Sequence, residues 1–204
     1  MKALNIALLG FITLTMCGCS STLMKRADIQ IMTPPGTQTS RVIFLRESAF
    51  GGAIQASIFD ASSEDLKFVG VSSTGTKVAY DTIPGIHRFM VVSEAADFME
   101  ATLDGGKTYY AMVTPRMGMW KARFSLWPIK SDANARHSLQ SKAFVGWLEL
   151  GKFVINTPEG DQWFRANASG IKQKYNAYLP DWKRKTPQAL AERTLDAKDG
   201  VVGR

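Results

Sequence analysis

From residue 41 to residue 129 the chain is cut into short β-forming runs, spaced about ten residues apart and separated by glycine and proline turn signals. Seven or eight such runs restrict the fold to a β-sandwich, with a closed barrel as the alternative. The first, Arg41-Val42-Ile43-Phe44-Leu45-Arg46, is apolar on both faces and is expected to be buried. In the second, Ile54, Ala56 and Ile58 alternate with Gln55 and Ser57, the pattern of a half-buried strand. Further runs lie at 66–71, 76–80, 86–92 and 97–103. Asp104-Gly105-Gly106 then reads as a hairpin turn, since glycine accepts positive φ without steric penalty, and leads into a strand at 107–113. In the last run Trp120, Ala122, Phe124 and Leu126 should face the core, and Lys121, Arg123 and Ser125 the water.

The flanks have a different grammar. Residues 20–40 are polar and carry Pro34-Pro35, which favours extended backbone and reads as a tether. Residues 131–137 are loop-like, and Phe144-Val145-Gly146-Trp147-Leu148 with Phe153-Val154-Ile155 reads as a hairpin. Thr157-Pro158-Glu159 is a helix start: a capping hydroxyl, proline at the first position and an acid near the positive dipole end. Phe164, Ala168, Ile171, Tyr175 and Tyr178 form one helical stripe that Pro180 should end. Thr186-Pro187 starts a shorter helix, expected to run to about Ala197.

The first twenty residues decide location. Lys2 is followed by a largely apolar run over 3–16, too short for the roughly 20 residues of a spanning helix. With a positive start and small Gly18 before Cys19, it reads as a cleavable export signal over 1–18. Cys17 follows bulky Met16 and is the poorer cleavage site. Signal and cysteine resemble a bacterial lipobox, which implies acylation of Cys19. Two or more acyl chains hold a protein stably, whereas one does so only marginally. Ser20 in place of aspartate implies, by the same resemblance, the outer membrane.

Cys17 leaves with the signal and Cys19 is taken by the acyl group, so the mature domain is expected to have neither a disulfide nor a thiolate metal site. Charge is uneven: residues 20–114 carry net −2, whereas 115–150 and 151–204 carry +4 each. Basicity of this kind suits nucleic acid, but an exported protein does not normally meet it. Anionic envelope surfaces fit the compartment better, and a solvated basic face is the plainer explanation.

The order Arg41-Val42-Ile43-Phe44-Leu45-Arg46, Pro84-Gly85-Ile86-His87 and Gly105-Gly106-Lys107-Thr108-Tyr109-Tyr110 resembles a family of uncharacterised bacterial lipoproteins. Their shared β domain is of unknown function and is similar to small PEGA-type surface sandwiches. Tyr178-Leu179-Pro180-Asp181-Trp182, with Thr194-Leu195 before Asp199-Gly200, resembles tails of some members. The resemblance implies envelope localisation and no known catalytic residue.

No motif downstream of the leader carries chemistry. His87, in a strand, is expected to be structural, and His137, in a polar loop, solvent-exposed; neither has the spacing of a metal helix. There is no Gly-x-Ser-x-Gly elbow, and Gly51-Gly52 lacks the Lys-Ser/Thr of a phosphate loop. A glycosidase carboxylate pair has no motif to support it. Tyr109 and Tyr110 occupy opposite strand faces, so one of them should point away from the core. Trp163 and Trp182, beside Lys172, Lys174, Lys183, Arg184 and Lys185, either dock the tail helices or meet a partner, docking being the simpler reading.

The expectation is therefore a mainly β protein, an Ig-like or PEGA-like antiparallel sandwich with a C-terminal helical extension. Its parts are a signal at 1–18, lipidated Cys19 and tether to 40, sandwich at 41–130, loop and hairpin at 131–156, and helices at 157–204. It is expected in the outer membrane facing the periplasm, without cofactor, metal or catalytic residue. Partners would be the membrane, through the anchor, and an envelope protein or anionic envelope polymer.

Overall fold

The computed structural model describes residues 23–47, 54–116 and 123–203. The expected signal over 1–18, Cys19, Gly51-Gly52, Trp120, Lys121 and Ala122 lie outside the described residues. The strands are β1 (Met24–Arg26), β2 (Ser40–Arg46), β3 (Ala56–Asp60), β4 (Lys67–Ser72), β5 (Thr76–Thr82) and β6 (Gly85–Val92). They continue with β7 (Ala96–Leu103), β8 (Lys107–Arg116), β9 (Arg123–Ile129), β10 (Lys152–Asn156), β11 (Thr194–Leu195) and β12 (Val201–Val202). One sheet runs β1-β10-β5-β2-β8-β12, with β9 also paired to β8; the other runs β11-β7-β6-β3-β4.

Period-two alternation sorts the strand residues into layers. Val42 and Phe44 join Ile58, Phe89, Val91, Met99 and Tyr109 in one core shared by the two sheets. Their neighbours Ile43 and Leu45 face outward into a second cluster with Tyr110, Ile129 and Phe144. Phe59, Met90 and Phe98 face outward from the other sheet into a third. Each sheet is thus covered on both faces, which is why β2 is apolar throughout and every one of its residues is buried.

The expected antiparallel arrangement is corrected to a mixed one. β2 pairs with β8, β5 with β10 and β7 with β11 in parallel. Asp104-Gly105-Gly106 is a turn with Gly106 at φ +75°, but it joins β7 and β8 of different sheets and makes no hairpin. A side chain at Gly105 would strike the Thr37 carbonyl, and the Gly106 N–H donates to the carbonyls of Gly36 and Thr39. The turn is therefore shaped to receive the N-terminal segment.

That segment is no loose tether from Leu23 onward. Leu23 is buried, β1 pairs antiparallel with β10, and Ala27 N–H donates to Phe153 O at 2.9 Å. In the final run Phe124 and Leu126 are in the shared core as expected, but Ser125 is buried too. The reason is that β9 lies against β6, β7 and β11 of the opposite sheet.

Residues 142–150 form a helix, not the first arm of a hairpin: α1 (Lys142–Leu150), capped by Ser141, whose Oγ accepts from Phe144 N–H at 3.2 Å. Phe144, Trp147 and Leu148 recur at helical spacing and cover the outer face around Tyr110. α2 (Pro158–Lys183) starts at Thr157 as read, and Phe164, Ile171, Tyr175 and Tyr178 pack on the opposite sheet. Pro180 does not end it; at the last turn its missing N–H costs one bond, and the helix closes through Arg184 N–H to Pro180 O. α3 (Pro187–Ala191) is shorter than expected, because the chain leaves it to lay β11 beside β7. A 3-10 turn, Ala197–Asp199, then leads to β12. The tail is woven into both sheets.

Candidate binding surface

The residues singled out beforehand all lie along α2 or just beyond it, yet they do different jobs. Trp182 is buried: its indole N–H donates to Glu100 Oε1 at 3.1 Å and its ring packs edge-on against Phe98. It holds the helix down and offers nothing to a partner. Trp163 is half-buried against Phe68, with ring centroids 6.0 Å apart. Lys172 and Lys174 fasten α2 to the body, through Glu64 O at 2.7 Å and Ser93 O respectively. Lys183 and Arg184 are exposed at the helix end, Arg184 paired with Asp181, and the Lys185 ammonium sits 5.7 Å from the Trp182 ring. Cations are favourable here because the last turn carries the negative end of the helix dipole.

Two hollows flank α2. One, of about 720 Å³, has Trp163, Ile171, Ile54, Lys174 and Glu94 in its walls. The other, of about 510 Å³, is lined by Arg88, Lys172, Tyr175 and Glu64. A third, of about 550 Å³, lies between β9 and α3, where Asp132, Glu192 and Lys130 surround Trp127. Both Arg136 and Arg193 sit over that ring, 4.1 and 4.3 Å from its centroid.

Two buried polar hubs explain how these walls are positioned. Asp97, fully buried on β7, accepts from Tyr178 Oη–H at 2.7 Å and from the Arg193 guanidinium, which also donates to Phe98 O at 3.0 Å. α2 and Arg193, two residues past α3, thus converge on one carboxylate. Burial, with the Asp97 charge beside it, raises the Tyr178 phenol. Arg88 adds a second tie, donating to Glu100 Oε1 at 2.8 Å, the atom that Trp182 also reaches.

The second hub is Asp60. Burial alone would raise its carboxyl, but hydrogen bonds from His87, Ser62 and Tyr80 outweigh this and hold it at about 2. His87 Nδ1 is 3.4 Å from Asp60 Oδ2 and 3.2 Å from Ser62 Oγ, and Nε2–H donates to Ile83 O at 2.9 Å. The Asp60 bond raises His87 despite its burial, and burial pushes Tyr80 up to about 12. Ser62 with His87 and Asp60 has the composition of a nucleophilic triad but not its wiring. The hydroxyl donates to Asp60 Oδ1 and accepts from Arg88 N–H at 3.1 Å, which makes it a latch on the 60–62 turn.

One expectation about exposure fails. His137 is half-buried against Trp147, and burial lowers its pKa. Tyr109 and Tyr110 do take opposite faces, Tyr109 in the shared core and Tyr110 away from it, yet both are buried: Tyr109 Oη accepts from Asp104 N–H at 2.8 Å, and Tyr110 is covered by Phe144 at 5.0 Å. Asp97, Asp60 and Arg88 were missed, although a charge inside an apolar strand run signals a buried partner. Among the described residues no group of three His, Cys, Asp or Glu is placed to hold a metal, and no helix is long and apolar enough to cross a membrane. The chain matches no protein-family model and no curated protein.

Proposed function

We propose that the protein is a lipid-anchored cell-envelope lipoprotein with a non-enzymatic binding or scaffolding role, held in the outer membrane and facing the periplasm. The observation that carries this reading is the place where the fold begins. Leu23, only four residues after Cys19, is already buried, and Met24 opens a paired strand. Four residues reach at most about 14 Å, so acylation at Cys19 would keep the whole body at the bilayer surface. A short leash suits a scaffold that works on the membrane better than a module that must reach far from it.

The binding surface is the α2 side, where Lys183 and Arg184 are exposed and the hollows lined by Trp163 and Arg88 open. Its charge favours an anionic envelope polymer or an acidic protein face. Among the described residues none of the large exposed apolar side chains lies on α2 or α3, which weighs against an apolar-docked subunit of an assembly machine. The Ig-like or PEGA-like identity rests on the strand and turn order; the antiparallel pairings of β3, β4, β6 and β7 are compatible with it. Radiolabelled palmitate should enter the wild type and not Cys19→Ser, and equal labelling of both would remove the anchor. Crosslinking in intact cells, followed by purification from solubilised envelope, should then recover the partner.

A further inference from the structure

We propose that the β1 edge of the body is a membrane-docking face, seated on the anionic headgroups of the bilayer that holds the anchor. The inference rests on the anchor reading above and adds an orientation to it. Ile29 and Ile31 are 69% and 86% exposed, and Ile155, on β10 directly opposite Lys25, is 46% exposed. Lys25, directly opposite Ile155, its neighbour Arg26, and Lys152 on β10 are exposed on the same sheet edge and make no ion pair among the described residues. Asp28 is the one acid between Met24 and Met32.

The isoleucines do not fray outward by default. Between them the Gln30 amide clasps the main chain: Nε2–H donates to Ala27 O at 2.7 Å and Phe153 O at 3.1 Å, and Oε1 accepts from Phe153 N–H at 2.9 Å. With Gln30 turned inward, Ile29 and Ile31 on either side are presented to solvent in a fixed arrangement. Exposed aliphatic side chains on one edge with exposed cations are the chemistry of an interfacial membrane surface. The occupant follows from reach. Ile29 lies ten residues after Cys19 and β1 only five, so this edge is the part of the body that the anchor holds nearest the lipid. Multivalent attachment of this kind needs little intrinsic affinity, because the anchor supplies a high local concentration.

The test uses the full lipidated chain in vesicles of phosphatidylethanolamine and phosphatidylglycerol, a palmitate-labelled sample verifying the anchor. Since the mature chain has no thiol besides Cys19, Ile31→Cys and Gln173→Cys each take one environment-sensitive fluorophore. Brominated acyl chains should quench the probe at residue 31 at least twofold and leave residue 173, on exposed α2 surface, unchanged. Lys25→Glu with Arg26→Glu should abolish the quenching at 31 while palmitate labelling persists. Equal quenching at 31 and 173, with palmitate incorporated, overturns the docking face and leaves the anchor standing. A probe at 31 shielded in proportion to protein concentration, without bromolipid quenching, marks a protein partner there and also overturns it. Absence of palmitate removes the anchor and this orientation together.

Discussion

Arg193→Met is the sharpest probe of how the tail is held. The Arg193 side chain is 7% exposed and its partner Asp97 is fully buried. Removing the guanidinium leaves Asp97 with the Tyr178 hydroxyl at 2.7 Å and, at 4.0 Å, the half-exposed Arg116. One hydroxyl does not compensate a carboxylate taken out of water, and breaking a buried pair from one side costs about 3–5 kcal/mol. The Trp127 ring also loses a cation at 4.3 Å, worth about 1–2 kcal/mol when desolvated, although the two losses overlap. Methionine keeps much of the stem packing, so the expected cost is about 4 kcal/mol, a large share of the stability of an ordinary domain. Urea unfolding followed by circular dichroism measures it. Asp97→Asn in the same chain should recover at least about 2 kcal/mol of that cost, since the orphaned charge is then gone. Arg193→Lys should fall between, keeping charge but losing the planar fork. A loss below about 1 kcal/mol for Arg193→Met, or strict additivity with Asp97→Asn, would refute the hub and leave Arg193 as packing.

Asp60 and His87 should make stability pH-dependent in two directions. The Asp60 carboxyl is held at about 2, below its ordinary 3.8, so its contribution is present above about pH 4 and fades as pH falls toward 2. His87 is raised above 6.5, so its contribution is full below that value and is lost as pH climbs through its folded pKa. The gap in unfolding free energy between wild type and Asp60→Asn should peak near about 2 kcal/mol between these limits; urea titrations showing a gap flat with pH would dismiss the pairing. Gly160 and Gly170, both on α2, should respond oppositely to alanine. At Gly170 the space is open and alanine should stabilise by up to about 1 kcal/mol, whereas at Gly160 its Cβ would stand 2.4 Å from the Leu23 carbonyl and cost about 1–3 kcal/mol. Melting temperatures moving the same way for both would mean that Leu23 is not docked there.

What could be read beforehand was local, and what could not was a matter of which distant segment covers which face. The β2 run is apolar on both faces, and α2 carries both its cap and its stripe in sequence, so neither needed tertiary knowledge. α1 misled because Phe144, Val145, Trp147 and Leu148 are β-tolerant residues on a short segment, and the apolar outer face around Tyr110, which Phe144, Trp147 and Leu148 cover, makes the helical stripe the better fit. The parallel β2–β8 pairing joins Arg41 to Thr108, and no local signal reports it. β11 and β12 are two residues each, below the length at which alternation exists. On the binding surface the basic cluster was visible, but its division into fasteners and free cations was not. Lys172 and Lys183 look alike until Glu64 O is found beside the first.

The same weaving bears on how the protein would work at a membrane. α2 is tied to the N-terminal segment at its start, where Thr157 N–H donates to Leu23 O at 3.1 Å, and to the Asp97 hub near its end, through Tyr178. Its 26 residues span about 39 Å, so one rigid element runs from the point where an anchor would enter to the exposed Lys183 and Arg184. Acylation at Cys19 would leave a leash of four residues, and the reach of that cationic end would then be set by the helix and not by the tether. A partner held there would then sit at a fixed offset from the anchor point, which is what a scaffold requires and a flexible tether would forfeit.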